Sequence, residues 1–365
     1  MQITHIDIYR FSIKMEPFAI ATGTMYHAQN TFIRVHTDTG LYGVGECSAF
    51  PMIVGETQDT CLVLAKEFSK IWKGKNPLDI SHRLQELDDF IAGNTTIKSA
   101  FDLALHDIAS KHANMPLFEF LGGKKRPITT DITVGIGSSE EMAEKALNFV
   151  NNGARVLKIK LGKQAEDDIE RIACIREKIG LSIPLRIDAN QGWSFNDAAT
   201  VLKGIEHQHI QFCEQPMRAY NDYMVPQLKQ VSSIPIMADE SCYNHYDAER
   251  LIREQACDLI NIKFAKSGGI QEALQIHATA AEHHIACMIG GMLESRVALT
   301  AKIHFAYACP NVKFFDLDTC MIGHLEDPVI NGVHFEGYDI DLPDLPGIGA
   351  DVDETFLQKC EKWRV

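Results

Sequence analysis

Between Arg155 and Pro216 the chain reads RVLKIKLG (155–162), PLRIDANQG (184–192) and IQFCEQP (210–216), three short apolar runs that each end on a charged residue and a turn. Amphipathic segments such as AEDDIERIACIREKI (165–179) lie between them. Working outward, the same unit recurs in DITVGI (131–136), PIMADES (235–241), LINIKFAKSGG (259–269), IACMIGG (285–291) and VKFFDLD (312–318). With Thr133, Lys158, Asp188, Glu214, Asp239, Lys263, Ile289 and Asp316 as marks, the steps are 25, 30, 26, 25, 24, 26 and 27 residues, one strand and one helix per step. Parallel strands joined by right-handed helical crossovers close into a barrel. Eight strands with seven intervening helices therefore predict an α/β barrel of the (β/α)7β type, a modified TIM barrel. The rival, an open doubly wound sheet, calls for a Gly-rich phosphate turn after the first strand, and GIGSSEE (135–141) matches that poorly.

Upstream, ITHIDIYRFSI (3–13), NTFIRVHT (30–37) and LYGVGEC (41–47) alternate as an antiparallel meander, followed by helical periodicity from Glu56 to about Gly122. The expected organisation is an α+β domain over residues 1–125, the barrel over 126–320 and a C-terminal segment over 321–365. The chain has 365 residues, with 35 Lys+Arg against 49 Asp+Glu, a formal charge of −14 that disfavours nucleic acid and anionic membranes as partners. No apolar run is long enough to span a bilayer, and the N-terminus lacks a signal-peptide pattern. Ten dispersed cysteines without a C-x-x-C pair read as buried thiols in a reducing cytoplasm, and the fifteen histidines show no zinc spacing.

Six of the eight runs carry Lys, Asp or Glu near the carboxyl end of the strand, where such barrels build their active sites. In Lys158-Ile159-Lys160 and Asp316-Leu317-Asp318 the like charges are two residues apart and share a face. Buried like charges are costly unless something uses them. Around an eight-membered ring the second and sixth strands are opposite, so Lys158 and Lys160 face Lys263. Asp188, Glu214 and Asp239, on three consecutive strands, form an oxygen arc suited to a hard cation. Mg²⁺ is expected, one per subunit, with Mn²⁺ able to fill the same donors. The two aspartates, Asp316 and Asp318, lie on the other flank. This geometry suggests chemistry on both faces of one carbon next to a carboxylate: an ene-diolate stabilised by the cation, a proton removed by Lys160 and one returned by Lys263. Lys158 and the cation are expected to depress the pKa of the base by like-charge repulsion.

Together with Asp188-Ala189-Asn190, Glu214-Gln215-Pro216, Ala238-Asp239-Glu240-Ser241 and Lys263 followed by Lys266-Ser267-Gly268-Gly269, the chain resembles the muconate-lactonizing branch of the enolase superfamily over essentially its whole length. Within that branch Asp316-Leu317-Asp318 is similar to the D-x-D of dipeptide epimerases, which binds the ammonium of a zwitterionic dipeptide. The resemblance implies that the α+β domain caps the barrel mouth, that the C-terminal segment returns to it, and that the chain is a homo-oligomer. Asn190, Glu240 and Lys266 are assigned supporting positions, with Glu240 neutralising a lysine and Lys266 supporting Lys263. Two other reactions of the branch, o-succinylbenzoate synthesis and N-acylamino-acid racemisation, share the lysines and the metal but need no ammonium site. A catalytically dead barrel is the reading from another class, and the presence of both lysines and all three acids gives it no support.

In epimerases specific for L-Ala-L-Glu the first cap loop carries an arginine where Gly23 stands here. Between Lys14 and Arg34 there is no Lys or Arg, and Phe50-Pro51-Met52-Ile53-Val54-Gly55 has none either. A buried glutamate side chain would go unpaired there, which predicts uncharged, hydrophobic dipeptides, unless Arg218, Lys266 or Arg296 reaches in from the barrel loops or His27 supplies a partial charge. Lys158, which is also counted with the catalytic lysines, Gly23, Met25, Met292 and Thr133 complete the expected substrate contacts. Met25, Tyr26 and Met52 read equally well as packing between cap and barrel, and Thr133 as a structural hydroxyl. Trp193 is expected to pack the loop after the third barrel strand.

Overall fold

Alternation along Ile3–Ile20 divides the first strand between two cores. Ile3, Ile6 and Ile8 pack against Phe68, Trp72 and Phe101 of the cap helices, while Tyr9, Phe11 and Ile13 join the core shared with the barrel. The computed structural model describes residues 1–365. Gly23–Thr37 and Tyr42–Ser48 complete the antiparallel cap sheet, and helices Gln58–Trp72, Ile80–Phe90 and Thr95–His112 cover one face of it. The first two strands run further than alternation alone predicts, reaching a hairpin tip at Ala21 and Thr22. Pro17 reads as a strand break, but it falls in a register shift between Lys14 and Phe18, where a missing N–H leaves no gap in the ladder.

The second sheet has eight parallel strands in sequential order: Ile132–Val134, Leu157–Lys160, Leu185–Asp188, Ile210–Glu214, Ile236–Ala238, Leu259–Ile262, Ala286–Gly290 and Val312–Asp316. The Asp131 N–H donates to Phe315 O at 3.2 Å across the first and eighth strands, closing the barrel. Helices on the outside begin where their sequences carry N-caps. Ser138 with Glu141, and Ser194 with Asp197, form reciprocal capping boxes.

Carboxylates of the cap fasten it to the barrel by occupying helix N-termini. Glu46 accepts from Ser295 N (2.8 Å), Ser295 Oγ (2.7 Å) and Ala298 N (3.0 Å), at the start of Arg296–Ala308. Asp102 accepts from Ile270 N (2.7 Å) and Gln271 N (3.1 Å), at the start of Ile270–Glu282. A Cβ at Gly269 would lie 2.4 Å from the Asp102 side chain, so this approach requires glycine there. After the barrel the chain folds back, and Lys362–Arg364 pairs antiparallel with the first cap strand, Asp7 opposite Arg364.

Candidate active site

Parallel register brings the charges level. Lys160 pairs with Asp188, and Asp188 with Glu214, on three adjacent strands, while Asp239 follows one residue beyond Ile236–Ala238. Lys160 and Lys263 stand on the second and sixth strands, four places apart in a ring of eight, and both line one cavity at the carboxyl end of the barrel. Thr133, Asn190, Met292, Asp316 and Asp318 line the same cavity.

Immediately beneath lies a buried network of opposite charges. Lys158 Nζ is 2.7 Å from Glu214 Oε2, 2.8 Å from Asp316 Oδ2 and 3.1 Å from Asp188 Oδ2. Lys160 Nζ donates to Asp188 Oδ2 at 2.6 Å and Lys263 Nζ to Asp239 Oδ2 at 2.7 Å. Burial by itself works against charge on Lys158 and Lys263. The carboxylates around them outweigh it, Asp316 and Glu214 foremost at Lys158 and Asp239 at Lys263, so both are held well above the ordinary lysine range. Among the acids, burial opposes ionisation throughout. The lysines nevertheless hold Asp188 at about 2 and Asp239 lower still, while burial and the neighbouring Asp188 push Glu214 up to about 7.

The donor set fits a hard divalent cation. Asp188, Glu214 and Asp239 offer oxygen only, and all three are buried, with Glu214 Oε2 and Asp239 Oδ1 meeting the ammonium groups of Lys158 and Lys266 at 2.7 Å. The backbone turns sharply just past these acids, with Asn190, Gln191 and Gln215 in the left-handed region at φ 41°, 66° and 35°. Gln215 ties two strand ends together, its Oε1 accepting from Asp239 N (2.9 Å) and Ser241 N (3.2 Å).

On the opposite flank, Asp318 Oδ2 accepts from Thr133 N at 2.6 Å. Asp131, Asp316 and Asp318 bring one oxygen each within 4.8 Å of one another. Arg186 donates to Asp131 at 2.7 Å and Lys158 to Asp316. Three carboxylates thus face two cations, leaving one formal negative charge toward the cavity. Burial and Asp316 raise Asp318 to about 7.

Besides the buried network of Lys158, Asp188, Glu214 and Asp239, four expected residues lie outside the cavity wall. Glu240 has no lysine partner; its Oε1 accepts from Asn190 Nδ2 at 3.4 Å, and burial and Asp239 raise it to about 8. Lys266 lies 2.7 Å from Asp239 Oδ1, the carboxylate whose other oxygen holds Lys263, and donates to Cys242 O and Asn261 O at 3.0 Å. Met25 faces a neighbouring depression with Tyr26 and Met52. Gly23 begins the second cap strand at the hairpin tip, where a Cβ would meet Met52 Sδ at 2.5 Å.

The roof is instead Phe18, Ile20, Phe50, Ile53 and Ile322. Apart from Lys160 and Lys263 its lining holds no cation: Arg218 is exposed, and Arg296 is taken up by Asp327 and the carbonyls of Asn331 and Val333. Trp193 donates to Asp168 at 2.8 Å, packing its loop as expected. Two buried residues escape a reading based on strand ends. Asn261 Nδ2 donates to Glu214 Oε1 at 2.7 Å, aiming the other oxygen inward, and Asp131 completes the acid cluster. Parity would have found both, since each sits two residues before a residue already singled out, Lys263 and Thr133.

Residues 4–122 match the N-terminal domain of the mandelate racemase/muconate lactonizing enzyme family, and residues 141–356 match the family described as enolase C-terminal domain-like. Among characterised relatives, the D-Ala-D/L-Ala epimerase of Cytophaga hutchinsonii is 43% identical over 365 residues, covering 99% of each chain. The L-Ala-D/L-Glu epimerase of Clostridium acetobutylicum is 36% identical, covering 96% of this chain and 99% of the other. The Cytophaga dipeptide epimerase crystallised with Mg and D-Ala-L-Val superposes with a TM-score of 0.98, covering 100% of both chains. The Enterococcus faecalis dipeptide epimerase with Mg and L-Leu-L-Tyr gives 0.93 at 36% identity, covering 96% of this chain and 100% of that one. Two matched domains in the expected order, and a barrel whose strand ends carry the charges described above, place this chain in the mandelate racemase/muconate lactonizing enzyme family of the enolase superfamily.

Proposed function

We propose that the chain is a Mg²⁺-dependent dipeptide epimerase that inverts the α-carbon of the C-terminal residue and prefers uncharged, apolar dipeptides. The observation that carries this reading is the cavity itself, with two lysines on opposed strands, an acid cluster one charge short of neutral at one end, and a carbon-lined roof. Of the relatives described above, the Cytophaga enzyme is a D-Ala-D/L-Ala epimerase crystallised with D-Ala-L-Val and the Enterococcus enzyme was crystallised with L-Leu-L-Tyr, while the Clostridium enzyme is an L-Ala-D/L-Glu epimerase.

Asp188, Glu214 and Asp239 would hold the cation, oriented by Asn261 and Gln215. When bound, Mg²⁺ supplies positive charge where the substrate carboxylate gathers negative charge. Asp316 and Asp318 receive the dipeptide ammonium, which supplies the one positive charge the cluster lacks. The reacting carbon then lies between Lys160 and Lys263. One amine, neutral at that moment, takes the proton as the Cα–H bond breaks and its electron pair passes toward the carboxylate. The other, as ammonium, donates a proton to the opposite face. Lys158, buried between Glu214 and Asp316, holds the two ends of the site in register and does not line the cavity. The ten thiols are all unpaired, which fits a reducing, cytoplasmic setting.

A glutamate side chain would lie against Phe50, Ile53 and Met292 with no cation to meet it. Steady-state kinetics on L-Ala-L-Val, L-Ala-L-Ala and L-Ala-L-Glu with Mg²⁺ test the reading. Higher kcat/KM for the first two, abolished by a chelator and restored by Mg²⁺, is the expected result. Faster turnover of L-Ala-L-Glu would overturn the specificity, and inertness toward all three would overturn the function.

A further inference from the structure

Far from the barrel mouth, His5 and Asp7 lie two residues apart on the first cap strand, and His36 is the direct cross-strand partner of His5. By parity all three side chains leave the same face of the sheet. Their potential ligand atoms lie within 4.8 Å of one another, and the two imidazoles are stacked, with centroids 4.4 Å apart and planes 8° from parallel. We propose that His5, Asp7 and His36 form a second metal site, built for a borderline dication such as Zn²⁺ and distinct from the all-oxygen site in the barrel.

The hydrogen bonds leave ring nitrogens available for a metal. Thr4 Oγ1 donates to His36 O at 3.2 Å, so its contact with His5 Nδ1 at 3.0 Å is made by an Nδ1–H donor. The His5 Nε2 lone pair is then free, and the imidazole is oriented through its other nitrogen, as ligating histidines commonly are. His36 Nε2 is buried, has no hydrogen-bond partner and lies 3.5 Å from Asp7 Oδ2. Two imidazoles and a carboxylate suit Zn²⁺, whereas Mg²⁺ selects oxygen donors.

Asp7 also serves the returning C-terminal strand. Arg364 Nε and Nη2 donate to it at 2.7 and 2.8 Å, and Lys362 Nζ lies 2.9 Å from Oδ2. The Lys362 side chain is 40% exposed and that of Arg364 60%, so either can turn to water, whereas Asp7 is fixed in the sheet. A dication at the three ligands takes over Oδ2 and displaces both Lys362 and the Nη2 bond of Arg364, leaving Arg364 Nε on Oδ1. The metal and the lysine are therefore competitors.

The test is calorimetric titration of the tag-free full chain with Zn²⁺ in saturating Mg²⁺ at pH about 7.5, where unperturbed imidazole is neutral. Wild type, His36→Ala, His36→Gln and Lys362→Gln are compared, with melting curves confirming that each is folded. The expected result is one Zn²⁺ bound by wild type, lost in whichever His36 variant folds, and bound more tightly by Lys362→Gln. A Thr4→Val substitution should weaken binding about 10-fold by freeing the His5 ring. Equal Zn²⁺ binding by wild type and the His36 variants, or none by wild type, would overturn the site. Unchanged affinity in Lys362→Gln would overturn the competition.

Discussion

Below the cavity, Lys158, Asp188, Glu214 and Asp239 are sealed from solvent and bonded among themselves, whereas above it Phe18, Ile20, Phe50 and Ile53 present only carbon. The floor is fixed by the ladder of a closed barrel. Moving one of its charges by a residue would turn that side chain out of the interior. The roof comes from the end of the first cap hairpin, the short helix Pro51–Val54 and Ile322 after the barrel, all outside the barrel ladder. Under the proposed function, the contrast puts the reaction and the choice of substrate in separate parts of this molecule, so that they can be altered one at a time.

The largest effects should follow changes to the floor. Lys160→Ala and Lys263→Ala should each lower epimerisation by at least about 10²–10⁴-fold, the range of general acid–base contributions. Each variant should still exchange the α-proton of one epimer with solvent, and of opposite epimers in the two cases, read by proton NMR in D₂O. Loss of exchange from both epimers in either variant would break the two-face assignment.

Asp318→Asn comes next. It leaves a substrate ammonium short of a buried partner, a loss of roughly 2–5 kcal/mol. Kinetics should show the loss with free dipeptides, and an equal loss with N-acylated substrates would show that Asp318 does not read the amine.

The joint between the two regions gives a pH dependence. Phe118 N donates to His304 Nδ1 at 3.0 Å and His304 Nε2 faces Ile348 O at 2.9 Å, so this buried histidine bridges cap and C-terminal segment in its neutral form. Burial lowers its pKa to about 4. Because the folded value lies below the unfolded one, the native state binds fewer protons across that interval. The contribution of His304 is present above about pH 6.5 and is lost as the pH falls toward 4, a total of roughly 3 kcal/mol. Denaturant unfolding of wild type and His304→Gln over this range should converge at the acid end.

The smallest effect lies at the hairpin tip, behind the roof. Gly23→Arg must push Met52 aside and should cost about 1–3 kcal/mol of stability, an overpacking penalty that adding Met52→Ala relieves. The double variant should gain activity on L-Ala-L-Glu relative to L-Ala-L-Val. No shift in that ratio would break the link between Gly23 and specificity.

The sequence made the barrel legible because eight runs recur at nearly constant spacing, and the charged floor legible because it stands at the ends of those runs. The roof was harder to read. Gly23 and Met25 stand out in the loop, yet Phe18 and Ile20, upstream of the turn, line the cavity, and the hairpin carries them there only because Pro17 is absorbed in a bulge. The charge state of the lysines was also hidden. Spacing places Lys158 beside Lys160, but only the folded chain shows Lys158 wedged among Asp316, Glu214 and Asp188, whose charges hold it well above the ordinary lysine range. Asn261 is an ordinary strand residue until Glu214 is seen 2.7 Å from its amide.

The most direct test of the account is to incubate L-Ala-L-Val and L-Ala-L-Glu with enzyme and Mg²⁺ in D₂O and follow the mass and chirality of each peptide. The account predicts one deuterium at the C-terminal α-carbon of L-Ala-L-Val, accumulating with its epimer, and far slower labelling of L-Ala-L-Glu. Faster labelling of L-Ala-L-Glu, or epimerisation of L-Ala-L-Val without deuterium, would contradict it.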